Sequence, residues 1–141
     1  MANEQEDFRK FMKEREKAAA AYTQGDPLPL RQMTTMRDPA TFFGPGGGAK
    51  NGAVAVAEGY VKDAAAFDKG GEGHFEILQM DASQGIGWWT GFQRANARLK
   101  GKPGAVRFNL RVTEVFRREE NVWKLVHRHA DSLEDAQQSK G

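Results

Sequence analysis

At 141 residues the chain has the length of one domain, enough to bury a single core without disulfide or metal staples. Its 21 Lys and Arg against 19 Asp and Glu leave a net charge of +2, so no polyelectrolyte surface forms and nucleic acid is not expected as a partner. The absence of cysteine removes disulfides, thiolate metal sites and a cysteine nucleophile, and fits a cytoplasmic location. The acidic start, Met1 to Asp7, lacks the basic-then-apolar pattern of a secretory leader, and no run reaches the ~20 apolar residues of a membrane span, so no membrane partner is expected.

In chain order, Asn3 followed by Glu6 reads as a capping box, and Phe8, Phe11, Met12, Ala19 and Tyr22 recur at helical spacing up to a stop at Gly25. A first helix is predicted over residues 4–24. Asp26-Pro27 supplies an N-cap and a first-turn proline for a short second helix that turns Leu28, Leu30 and Met33 inward and ends before Arg37. A brief strand follows, Ala40 to Phe43, and then a turn at Gly44 to Gly48, which lacks the Gly-Lys-Ser/Thr ending of a phosphate loop. A third helix begins at Asn51 or Gly52, presents Ala53, Ala57, Tyr60, Val61, Ala64 and Phe67 on one face, and closes at Gly70-Gly71.

The period then changes to two. Phe75, Ile77 and Gln79 alternate with Glu76, Leu78 and Met80, and a run from Gly85 to Leu99 places Ile86, Trp88 and Phe92 on one face. Trp88 and Trp89 therefore point opposite ways, one to the core or a pocket wall and the other to an interface. Gly101-Lys102-Pro103-Gly104 turns the chain into two closing strands that meet at Glu119-Glu120-Asn121. Residues 134–141 read as a polar tail beyond a domain of residues 1–133.

The closing strands carry the chemistry. In LRVTEVFRREENVWKLVHRHAD, residues 110–131, alternation puts Leu110, Val112, Glu114, Phe116 and Arg118 on one face, and Trp123, Leu125, His127, His129 and Asp131 on one face of the next strand. Both sets are apolar near the turn, which assigns them to the concave side under the helices. Arg111, Thr113, Val115, Arg117, Lys124, Val126 and Arg128 fall on the convex side. A two-residue turn at Glu120-Asn121 would pair Phe116 with Leu125, Glu114 with His127 and Val112 with His129, a register that a bulge would shift. A carboxylate opposite an imidazole on an apolar wall can be a structural pair, or can fix a tautomer and raise basicity, which makes His127 with Glu114 the candidate catalytic pair. His129 and Asp131 read as a rim or a subunit contact. His127 and His129 lie at i, i+2, but spacing supplies no third metal ligand, with His74 distant in sequence, so neither metal nor cofactor is expected.

The segments GDPLPL, TFFGPGGGAKNG and, above all, the closing stretch resemble the SnoaL-like branch of the nuclear transport factor 2-like superfamily. The closing pattern is also similar to the association domain of calcium/calmodulin-dependent protein kinase II. One departure is Ser83-Gln84-Gly85, where many relatives carry Ser-Gly-Asp before the long strand. The resemblance implies an α+β cone, with N-terminal helices packed on a strongly curved mixed or antiparallel sheet. It also implies an apolar cone pocket for a small apolar or planar ligand, walled by Val112, Phe116, Leu125, Trp88 and His129. Tyr60 and Phe42 join that wall if the cone stays open around them. Two functions follow: an isomerase or cyclase, ketosteroid isomerase-like, moving a proton alpha to a carbonyl, or a non-catalytic ligand-binding or oligomerising module. A homodimer through the convex face is expected, because Val115, Val126, Ala130 and one tryptophan lack a helix to cover them.

Overall fold

The computed structural model describes residues 3–134; of the tail expected over residues 134–141, all but Glu134 lies outside the described residues. Helix α1 spans Glu4–Thr23, and the Asn3 side chain accepts from the Gln5 and Glu6 N–H groups at its start. Gly25, at φ +87°, ends it. There the Gly25 N–H donates to the Tyr22 carbonyl and the Asp26 N–H to the Ala21 carbonyl, and a side chain would strike the Phe67 carbonyl oxygen at 2.6 Å. Helix α2 is Leu28–Met33, with the Asp26 carboxylate accepting from the Leu28 N–H. Leu30 is buried as expected, but Leu28 faces out.

Strands β1 (Thr41–Phe43) and β2 (Ala49–Asn51) bracket the glycine turn, and β2 is an element that its exposed residues do not announce. Helix α3, Ala53–Ala64, receives the Asp38 carboxylate at its first N–H and stops earlier than periodicity suggests. Phe67 opens strand β3 instead of completing the helical face, because its backbone is claimed by pairing with Leu99. The long strands are β3 (Phe67–Ser83), β4 (Ile86–Leu99), β5 (Val106–Glu119) and β6 (Val122–Ser132).

The sheet order is β2-β1-β6-β5-β4-β3, and β1 runs parallel to β6 while every other pair is antiparallel, so the sheet is mixed. The last hairpin has the two-residue turn expected, Glu120 and Asn121 both at positive φ. Phe116 pairs with Leu125, but next Val115 pairs with His127, so Val126 is an extra residue on β6. That bulge corrects the expected register. Glu114 lies opposite Arg128, not His127, and Val112 opposite Ala130, not His129. Arg128 and Ala130 consequently face the helices, and His127, His129 and Asp131 move to the outer face. A second bulge, at Leu78, bends β3 and leaves that leucine 59% exposed. These bulges, with a further irregularity of β3 between Asp68 and Glu72, accompany the curl of the sheet around α1, which packs on β3 and β4, and α3, which packs on β1 and β2.

One end of the curl is filled. Phe8 meets Phe116 and Trp123 edge-on at 5.4 and 5.1 Å between ring centroids, and Gly87 is the only residue type that fits there, since a Cβ would come within 2.6 Å of the Phe8 ring. In the middle, Phe75 stacks on the fully buried Trp89 at 4.5 Å. Trp88, 37% exposed, is the outward tryptophan.

Candidate functional site

Across the sheet, the paired residues Phe42, Arg128, Glu114, Trp89 and Met80 form one row on the helix side. At its centre the Glu114 carboxylate is fully buried and accepts four hydrogen bonds. Arg15 Nε donates to Oε1 at 2.9 Å and Arg15 Nη2 to Oε2 at 2.6 Å; Trp89 Nε1 donates to Oε1 at 2.9 Å and Arg128 Nη1 to Oε2 at 2.7 Å. These donors fill the lone pairs of both oxygens. Burial by itself would raise the Glu114 pKa, but the Arg15 and Arg128 charges and their hydrogen bonds outweigh it and hold the group down to about 2. Arg128 continues the network, its Nη2 donating to Gln93 Oε1 at 2.6 Å. Two guanidiniums face one carboxylate, which leaves a surplus positive charge inside the protein.

Beside this network the curl stays open. A cavity of about 200 Å³ lies between α1, α3 and the inner face of β4 to β6. It exists because Ala19 on α1 and Ala95 and Ala97 on β4 are too small to fill the span, while Phe42, Phe108 and Leu110 supply apolar wall. Arg15, Arg128 and Gln93 bring the buried network to the cavity, Tyr22 and Tyr60 add hydroxyls, and Asp63 stands exposed at the outside. Burial pushes both tyrosine pKa values well above the usual range, Asp63 adding to the effect on Tyr22 and Arg128 opposing it on Tyr60. Both are therefore neutral O–H donors at any physiological pH.

Of the residues read from sequence as a pocket, Phe42 and Tyr60 line the cavity and pack on each other at 4.7 Å. Val112, Phe116 and Leu125 belong to the packed core, and Trp88 lies outside. His127 and His129 are on the outer face, where the Phe43 ring meets them edge-on at 5.2 and 5.7 Å. There His127 Nδ1 shares a hydrogen bond of 2.7 Å with Thr41 Oγ1. Its partial burial, and then the nearby His129, lower the His127 pKa. Glu114 and His127 thus form no pair: the glutamate is saturated by other donors and the imidazole looks the other way. Asp131 is held by Arg111, at 2.7 and 2.8 Å.

Arg15 went unread in the sequence although a signal exists. Phe8, Met12, Ala19 and Tyr22 share a stripe of α1, and position 15 continues it, so a lone arginine sits where an apolar residue belongs. Strict alternation puts Arg128 on the convex face, and the extra residue at Val126 turns it inward. Gln93 follows Trp89 and Gly91 on the inner face of β4, as a single polar residue among small and aromatic ones. No signal singles out Asp63, which reads as an ordinary helix-surface carboxylate.

A family model for the SnoaL-like domain matches residues 15–132. None of the curated proteins matches the sequence. Among solved structures, a provisionally assigned dehydratase of the NTF2-like family from Streptomyces avermitilis superposes with a TM-score of 0.72 at 18% identity, over 92% of this chain and 97% of that one. A provisionally assigned calcium/calmodulin-dependent protein kinase type II association domain from Thiobacillus denitrificans gives 0.62 at 19% identity, over 84% and 88%. A provisionally assigned ketosteroid isomerase from Parabacteroides distasonis gives 0.55 at 20% identity, over 81% and 80%. At these identities the likeness is one of fold.

Proposed function

We propose, for a chain that belongs to the SnoaL-like domain family, that it receives one small, largely apolar or planar molecule in the cavity between α1, α3 and the sheet. The observation that carries this reading is the cavity itself: apolar walls left open by alanines and converging on a few buried polar groups, the usual composition of a small-molecule site. An apolar cavity of roughly 150 Å³ is enough to admit benzene, so this one has room for a one-ring compound. Crystals soaked with small carboxylates and planar aromatic ketones should show density in this cavity. Ala95→Phe, which fills it, should abolish binding; fragments bound elsewhere, or unaffected by the substitution, would overturn the reading.

A second reading, an isomerase or cyclase that moves a proton alpha to a carbonyl, is favoured by one observation. Asp63 is a carboxylate at the same cavity as two tyrosine hydroxyls held in the protonated form, and a base with neutral O–H donors is the equipment for enolising a ketone. Hydrogen–deuterium exchange alpha to the carbonyl of a bound ketone, lost in Asp63→Asn, tests it; exchange equal to that in buffer would retire it. For the outer sheet face we propose self-association, supported by Trp88, Leu78, Ile86 and Phe43, which leave it apolar and uncovered. No helix among the described residues is long and apolar enough to cross a membrane.

A further inference from the structure

Arg15 is 2% exposed and spends its Nε and Nη2 on Glu114, yet its Nη1 is buried with no hydrogen-bond partner among the described residues. The Tyr60 hydroxyl, 1% exposed as a residue, is unpartnered too. Both residues line the cavity. The guanidinium carbon of Arg15 lies 5.2 Å from the centroid of the Phe75 ring, a cation–π contact that gives Nη1 no oxygen or nitrogen acceptor. Buried donors without acceptors are costly, and two of them at one cavity, on opposite helices, point to an acceptor that arrives from outside.

We infer that the molecule received in the cavity carries a carboxylate, held at the inner wall by Arg15 and Tyr60 beside Arg128. This rests on the cavity-binding reading and specifies its ligand class. The charge selects the group: Arg15 and Arg128 against Glu114 leave one surplus positive charge, which a monoanion neutralises and a phosphate dianion would overshoot. Glu114 cannot supply the missing acceptor, because its oxygens already take four donors. Burial sets the direction of entry. The Arg15 and Arg128 side chains are buried, the Asp63 carboxylate is exposed, and the rest of the lining includes apolar Phe42 and Phe108. The acid end therefore goes in first, with an aliphatic or aromatic body behind it and any hydrogen-bond donor facing Asp63.

The test titrates benzoate and its neutral isostere benzamide calorimetrically into the wild type, Tyr60→Phe, Arg15→Gln and Ala95→Phe. Benzoate should bind the wild type more tightly than benzamide by about 10- to 100-fold, the difference between charged and neutral hydrogen bonds. Tyr60→Phe removes an unpartnered hydroxyl and keeps the fold, and should weaken benzoate by about 5- to 10-fold with little effect on benzamide. Arg15→Gln should abolish the preference for the acid; if it fails to fold, Tyr60→Phe decides. Benzamide binding as well as benzoate, with Ala95→Phe blocking both, would overturn the carboxylate and leave the cavity reading intact. Benzoate binding that survives Ala95→Phe overturns the inference by placing the anion elsewhere. Neither probe binding up to about 10 mM also overturns it, and the cavity reading then stands or falls on the ketone soaks alone.

Discussion

Glu114→Gln replaces the one buried anion of the site by an amide of the same shape and leaves Arg15 and Arg128 facing each other without a counter-charge. The cost follows from the position of the carboxyl equilibrium. A group that titrates near 4.5 when unfolded and about 2 when folded stabilises the folded state by on the order of 3 kcal/mol at neutral pH. Because the folded pKa is the lower one, that contribution is complete above about pH 4.5 and is lost as pH falls through 2. Glu114→Gln should therefore be less stable than the wild type by about 3 to 5 kcal/mol at pH 7, a drop in Tm of roughly 10 °C or more. The two proteins should converge as pH is lowered through that window. Urea unfolding of both at a series of pH values measures it, and taking the difference cancels carboxylates common to the two, such as Glu119 and Asp131, whose pKa values are also lowered. Parallel stability curves between pH 4.5 and 2 would show that Glu114 is not held as an anion by the two guanidiniums.

His127→Gln should leave ligand affinity within about 2-fold and stability within about 1 kcal/mol, since the ring is on the outer face with one hydrogen bond to Thr41; a 10-fold loss of binding in titration would restore it to the site. Gly25→Ala should cost about 1 to 3 kcal/mol in denaturant unfolding, because position 25 combines φ +87° with a carbonyl oxygen at 2.6 Å, and an unchanged midpoint would refute that geometry. Trp88→Glu should convert a dimer into a monomer in sedimentation velocity at micromolar protein, and a wild type already monomeric there would remove the outer face as an interface.

The local rules of the chain were largely readable. Asn3 and Gly25 bound α1 as their chemistry requires, and Glu120-Asn121 forms the two-residue turn that its position between alternating strands implies. Where reading failed, long-range pairing decided. Phe67 fits a helical face, but Leu99 across the sheet draws it into a strand. His127, Arg128 and His129 are successive basic residues, and alternation alone ranks them by parity from the turn; one unpaired residue at Val126 reverses that parity, and no letter in the stretch marks it. Arg15 was legible in principle as a charge on an apolar stripe, but its partner Glu114 is 99 positions away, and a pair of that separation has no sequence spacing to betray it.

The unpaired residue also gives β6 a spare unit of length. Deleting Val126 would flatten the strand and keep Glu114 opposite Arg128. Deleting Arg128 instead would flatten it equally, let Val126 pair with Val115, and bring His127 opposite Glu114, while Thr113–His129 and Phe116–Leu125 stay matched on either side. Two losses of one residue, two positions apart, thus lead to a guanidinium or an imidazole at the same buried carboxylate with the rest of the β5–β6 ladder matched, although losing Arg128 also takes away the partner of Phe42 on β1. On its β5 side the strand is therefore an interchange point, where the place of one lost residue decides whether a fixed positive charge or a titratable base meets the carboxylate.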